Sequence, residues 1–326
     1  MPDIAMHHVF GTEVRDGLPE NVRRSLVDDP YVFAFFGPDP WFLYKPGKSR
    51  EGRGRRMHTT KTGAFLTALA KGAREGQARE DMFSYLAGFL CHYALDSTTH
   101  PYIIWQTTET WPTCRAHREM EHALDIRLAQ REGHWGERHP LTDYHQPRIQ
   151  LPERMAMDLN RVYREVYGWE GVWKDLNRCY LRYRMVFRLM ESPRSVFRML
   201  ASVCPTQRFR SLSHVRCAFT DGRDVENLSH TPWHAAFDRK ITSTESFPEL
   251  FEKAKREAIR MITDAWKYVY EGSLTEAELR ESVGNRSYLS GLDVEDPRNL
   301  TVPSLMPPSD PGEVAAGSGE TIGKQD

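Results

Sequence analysis

No apolar run of this chain reaches 18 residues, so nothing in it is long enough to cross a bilayer as a helix. An excess of one charge is also missing. The 44 Lys and Arg against 45 Asp and Glu leave a net charge of −1, which gives no global attraction to nucleic acid or to a membrane. Cysteine is scarce. There are five, an odd number, and none is spaced Cys-x-x-Cys. That excludes a disulfide framework and a thiolate zinc site and leaves reduced thiols. The first twenty residues carry Asp3, Glu13, Asp16 and Glu20 and no apolar stretch of signal-peptide type, so the expectation is a cytoplasmic protein. Strand signals are sparse: no series of alternating Val/Ile/Thr runs is divided by Asn-Gly or Asp-Gly turns, and no internal repeat is visible. There is no adjacent His-Asp pair, which argues against a histidine–aspartate phosphohydrolase.

What the chain does have is helix. Ser246 and Glu249 form a capping-box pair, and Phe247, Leu250, Phe251, Ala254, Ala258, Met261, Ile262 and Ala265 follow at 3–4 spacing. Thr275 and Glu278 open a shorter helix in the same way. Met155, Leu159, Val162 and Val166 mark another, and residues 172–190 read as a long helix that Pro193 ends. Residues 81–105 are mostly apolar on every side, the mark of a buried helix, and 114–131 continue in helical style. The fold class is therefore all-α, one multi-helix domain over residues 1–283. Residues 284–326 carry Pro297, Pro303, Pro307, Pro308 and Pro311 and few bulky apolar side chains. They read as a disordered tail, because little burial is on offer to offset the entropy of ordering.

Histidine is unevenly spread: of 13, ten lie in residues 1–145. The sharpest motif among them is His92-x-x-x-Asp96-x-x-x-His100. At 100° per residue the three side chains point to about 0°, 40° and 80°, one face of a single helix. Roughly 0.03 such triples are expected by chance at this composition. His92 to His100 rises about 12 Å along the axis, whereas zinc–nitrogen bonds are about 2 Å. The spacing thus suits several ions sharing a carboxylate better than one ion. Three ionisable groups in so apolar a helix are costly unless paired or metallated.

Other candidates stand around this motif. His117-x-x-x-Glu121 puts both groups on one face of the next helix, with His122 and Asp125 as neighbours of similar chemistry. His7 lies in HHVFG, and His58 lies at a helix start in RRMHTTKTG. Asp39 lies in FFGPDPWFLY, where Gly37, Pro38 and Pro40 stiffen the backbone around one carboxylate. Trp41, Phe42 and Tyr44 follow it closely and could wall a choline-like cation through cation–π contact or form an apolar lip touching lipid. The stretch Lys45 to Arg56 holds six positive charges and one negative, a candidate for peripheral contact with an anionic membrane surface.

The ordered set His…GPD…His…His-x-x-x-Asp…His…His-x-x-x-Glu resembles the zinc-dependent phospholipase C family, which is related to single-strand-specific zinc nucleases. The resemblance runs from residue 1 to about 125 and continues more loosely through NLSHTPWHAAF and the Phe247–Tyr270 helix. It implies an all-α fold with two or three zinc ions at the base of a cleft. Carried over by residue, it implies that His58, His92 and Asp96 hold one ion and that His100, His117 and Glu121 hold a second. His7 and Asp96 would hold a third, with Asp39 as a further ligand or as the base for the attacking water. Two departures are visible. Secreted bacterial members place five residues between the motif's Asp and the next His, against three here, a change that keeps His100 on the same helical face. They also use the amine of a processed N-terminus as a ligand, which is not expected here without a leader to remove. The reaction implied is hydrolysis of a phosphodiester, foremost a phospholipid headgroup. The alternatives are a phosphodiesterase or nuclease with a non-lipid substrate, and a scaffold that binds metal or lipid without turnover.

Overall fold

The structure is a computed structural model that describes residues 4–44, 52–110, 116–131, 149–191 and 223–302. Helix α6 (Arg79–Trp105) is its axis. Its apolar residues face all round because it is surrounded, and 22 of its 27 residues are buried. Around it pack α1 (Ile4–Gly17), α3 (Asp28–Phe33), α5 (Thr62–Glu75) and α10 (Phe247–Trp266). The short helices α2 (Glu20–Arg24) and α4 (Arg53–Thr59) lead into these. Helix α7 (Ala116–Arg131) lies against α1, and α8 (Ala156–Tyr167) and α9 (Val172–Glu191) close the side beyond α5. Helix α11 (Glu276–Val283) packs on α5 and α10.

The helix starts follow the capping chemistry. Ser246 accepts from the Glu249 amide while the Glu249 carboxylate accepts from the Ser246 amide, and Thr275 and Glu278 repeat the arrangement. Helix α10 then buries the apolar face that its spacing predicts. Helix α1 has no acidic residue of its own in its first turn. The Asp125 carboxylate of α7 fills that role, accepting from the amides of Ala5 and Met6 at 3.1 and 3.0 Å. This bond fastens α7 to the helix that carries His7.

The all-α class holds, with one addition. Residues Trp233–Ala235 (β1) and Asp238–Ser243 (β2) form an antiparallel hairpin beside the end of α6, where the Trp233 ring meets Tyr102 edge-on at 5.5 Å.

The expectation of a disordered tail from residue 284 is corrected for residues 284–302. Residues 285–294 form a tight loop closed by the Val294 amide to the Asn285 carbonyl and the Ser287 amide to the Leu292 carbonyl, at 2.8 and 2.7 Å. Asn285 and Arg286 bond to the start of α5, and Arg286 also reaches Glu257 of α10 at 3.0 Å. The ordering comes from these polar tertiary bonds and one inserted ring, Tyr288, which is 1% exposed. A count of apolar residues does not register them. Residues 303–326 lie outside the described residues.

Candidate metal centre

Five elements deliver the side chains that the sequence singled out. Helix α1 brings His7, a 3-10 turn over Asp39–Leu43 brings Asp39, and α4 brings His58. Helix α6 brings His92, Asp96 and His100, and α7 brings His117 and Glu121. The Asp39 turn can approach α6 so closely because of Gly37. Its φ is +44°, and a Cβ there would lie 2.5 Å from Cδ2 of His92.

The ligand-type atoms converge. Nε2 of His92 is 3.1 Å from Oδ2 of Asp96, and Nε2 of His58 is 3.3 Å from Oδ1 of Asp39. Nε2 of His7 is 3.4 Å from the other Asp96 oxygen, Oδ1. Beyond them, Nε2 of His117 is 2.8 Å from Oε1 of Glu121, and Nε2 of His100 is 3.9 Å from that same oxygen. Three groups have one donor atom per residue, all within 4.8 Å of one another: His58, His92 and Asp96; His100, His117 and Glu121; and His7, Asp39 and His92. Two ligands of one tetrahedral zinc, each about 2 Å from it, stand about 3.3 Å apart. The observed spacings bracket that value.

The hydrogen bonding of the rings says which nitrogen is on offer. Nδ1 of His58 lies 2.7 Å from the Gly54 carbonyl, and Nδ1 of His92 lies 3.0 Å from the Phe35 carbonyl. Nδ1 of His100 lies 2.8 Å from the Tyr288 carbonyl and 3.1 Å from the Asp96 carbonyl. A carbonyl only accepts, so in each ring Nδ1 carries the proton and Nε2 presents a lone pair. Metal-binding histidines are commonly fixed in this manner.

The centre fits a cation and is costly without one. Both oxygens of Asp39 and of Asp96, both ring nitrogens of His7, and Nε2 of His58 and His92 are buried and make no well-formed hydrogen bond. Buried polar atoms are normally satisfied. Lone pairs that converge at ligand spacing are what a cation site requires. The donor set, imidazole and carboxylate without thiolate, suits a hydrolytic zinc site.

Electrostatics point the same way. Burial pushes the His7 and His117 imidazoles below their usual range and takes His100 down to about 3. These rings are therefore neutral at pH 7, the form that binds metal. Burial also presses His92 downward, but the Asp96 and Asp39 carboxylates outweigh it and leave His92 raised. Burial works against a charged Asp96, yet the His92 and His100 rings hold it well below the usual carboxylate range.

The sequence profile of the family described as zinc dependent phospholipase C matches residues 6–170. The chain belongs to the zinc-dependent phospholipase C family. No curated protein and no solved structure is matched by it. Seven of the eight candidate ligands in the matched stretch come from its helices, and Asp39 comes from the turn between α3 and α4.

The structure bears on three expectations about this region. The first concerns the third ion. The structure groups His7 with Asp39 and His92, while its contact with Asp96 is the 3.4 Å pair. Since Nδ1 of His92 is committed to Phe35, its single Nε2 serves one ion, so the two groups that share His92 are alternatives. The second concerns the aromatic wall. Trp41 is wholly buried, and the cation over its ring is the protein's own Arg53, at 4.8 Å. Arg53 also covers Tyr44 at 3.8 Å and Trp169 at 4.7 Å and pairs with Asp175 at 3.3 Å. Trp41 and Tyr44 thus each present a face to a resident guanidinium. Phe42 is the one of the three beside the centre, its ring 5.2 Å from that of His58. The third concerns the basic stretch. Residues 45–51 lie outside the described residues, and both Arg53 and Arg56 fold over aromatic rings, Arg56 over Tyr167 at 5.9 Å. Among the described residues, no helix is long and apolar enough to cross a membrane.

Sequence reasoning missed the Tyr288 carbonyl. A backbone acceptor carries no signal in residue type. Asp125, the neighbour of similar chemistry beside His117 and Glu121, caps α1.

Proposed function

We propose that the chain hydrolyses phosphodiesters in the manner of a phospholipase C, with a phospholipid as substrate. The observation that carries this reading is the convergence of the two independent donor groups on one helix, in a chain of this family. His58, His92 and Asp96 would hold one zinc ion, and His100, His117 and Glu121 a second. His7 has Asp39 and Asp96 beside it for a further ion. Bound zinc supplies positive charge against the phosphoryl oxygens and lowers the pKa of a water to about 7. The residues of the chain do the rest. The imidazoles of His58, His92 and His100 stay aligned through their Nδ1 bonds to backbone carbonyls. Asp39, rigid between two prolines, sits with Oδ1 3.3 Å from His58, where it orients the attacking water and takes its proton. The water oxygen forms the new bond to phosphorus, the bond from phosphorus to the glycerol oxygen breaks, that oxygen takes up a proton from solvent, and Asp39 returns the proton of the attacking water to solvent.

The test is hydrolysis of phosphatidylcholine vesicles, a soluble phosphodiester and single-stranded DNA, each with and without a chelator. Chelator-sensitive release of phosphocholine, ahead of cleavage of the other two substrates, is expected. Preference for DNA would reassign the substrate to nucleic acid. Zinc binding without turnover of any of the three would make the chain a scaffold.

A further inference from the structure

We propose that residues 285–294, outside the stretch matched to the family, are a latch on the metal centre, and that zinc affinity and the docking of this loop depend on each other. The proposal rests on the zinc reading above.

Tyr288 stands between two ligand-bearing helices and bonds to both. Its amide donates to the carbonyl of His58 at 2.9 Å, fixing the end of α4. Its carbonyl accepts from Nδ1 of His100 at 2.8 Å. The two bonds therefore touch one proposed ligand from each donor group. The Tyr288 ring fills the space beside them, 5.2 Å from His58 and 5.8 Å from His92. His58 and His92 each take their Nδ1 acceptor from residues within the matched stretch, Gly54 and Phe35. Within that stretch His100 Nδ1 lies 3.1 Å from the Asp96 carbonyl, an oxygen of its own helix. The shorter bond comes from the loop.

The loop is held over α6 at several points. Pro101 lies inside α6 and has no N–H, so the Ser97 carbonyl lacks its helical donor. Gly291 lies on that carbonyl with φ at +70°, and a Cβ there would come 2.5 Å from the oxygen. The Arg286 amide donates to the Tyr93 hydroxyl at 2.8 Å, and its guanidinium lies over the Tyr93 ring at 5.0 Å. Asn285 accepts from the Gly63 amide at the start of α5 at 3.1 Å. The loop is thus built against α4, α5, α6 and α10, with Tyr288 at the inner end.

A residue acting on a ligand from behind typically changes metal affinity by about 10–100-fold. Reciprocity then requires bound zinc to stabilise the docked loop by the same factor. The experiment uses the full chain. Zinc is counted by elemental analysis, its affinity is measured by titration against a chromogenic chelator, and hydrogen exchange is followed with and without zinc. Gly291→Ala, which strains φ and pushes on Ser97, is expected to weaken one zinc about 10–100-fold. Tyr288→Phe, which keeps both backbone bonds, is expected to retain wild-type affinity. In the unaltered chain, zinc is expected to slow exchange of peptides over 285–294 about 10–100-fold more than those of the 233–243 hairpin. That readout stands even if Gly291→Ala fails to fold. A wild-type chain that binds two zinc ions yet shows equal slowing in loop and hairpin overturns the latch. A chain that binds no zinc overturns the functional reading instead.

Discussion

The two donor groups on α6 are built differently. The group around Asp96 draws on four separate elements, α1, the Asp39 turn, α4 and α6, and His7, Asp39, His58, His92 and Asp96 are all 2% exposed or less. The group around Glu121 needs only α6 and α7, and its His117 and Glu121 side chains are 14% and 8% exposed. One is a long-range assembly sealed in the core, and the other is an adjacent-helix pair near the rim. Uncompensated charge costs far more in the first setting than in the second. The two groups should therefore answer unequally to the same kind of damage.

The largest effect is expected at Asp96, which faces both His7 and His92. Asp96→Asn should remove the inner zinc and lower phosphodiester hydrolysis at least about a thousandfold, or about 4 kcal/mol of transition-state stabilisation. Elemental analysis beside an activity assay measures both. Wild-type turnover with full zinc would remove Asp96 from the centre.

Glu121→Gln should be milder and selective. The outer zinc is lost, the inner one stays, and hydrolysis falls about a hundredfold. Thermal unfolding should move by no more than about 3 °C, because this site is partly open to solvent. If Glu121→Gln destabilises the fold as much as Asp96→Asn, the contrast between inner and outer groups is wrong.

The metal-free chain should show an acid-sensitive stability. With the folded His100 lowered to about 3 and His7 and His117 lowered as well, the unfolded chain takes up protons that these buried rings refuse. Their contribution is fully present above the unfolded value of about 6.5 and is lost as pH falls from there toward 3. His92, which is raised, acts in the opposite sense but is one ring against three. Urea unfolding of chelated protein should therefore show stability falling between about pH 6.5 and 4. A flat profile would contradict the burial of these rings in the neutral form.

The smallest effect is expected away from both groups. Tyr44→Leu removes one ring from beneath Arg53 and should cost about 1 kcal/mol of stability while leaving KM for phosphatidylcholine unchanged. A rise in KM with stability intact would restore Tyr44 to the substrate wall.

Much of this arrangement could be read from residue types. The His92-x-x-x-Asp96-x-x-x-His100 spacing, the capping pairs at Ser246 and Thr275 and the apolar run of α6 are local signals, and local geometry dictates what they become. Trp41 and Arg53 are twelve positions apart, and only the fold shows that a cation from within the chain covers the ring. The latch was missed for a related reason. Gly291 and Pro101 are ordinary in sequence, and their meaning lies in one facing the other across 190 positions. What the sequence could not supply was contact between distant segments made through the backbone.

The most direct test of the whole account is the zinc content of the purified full chain. At least two ions per chain are predicted, one lost with Asp96→Asn and a different one with Glu121→Gln. Fewer than one zinc per chain after incubation with excess metal would contradict it, since the converging imidazoles and carboxylates would then have some other reason to meet.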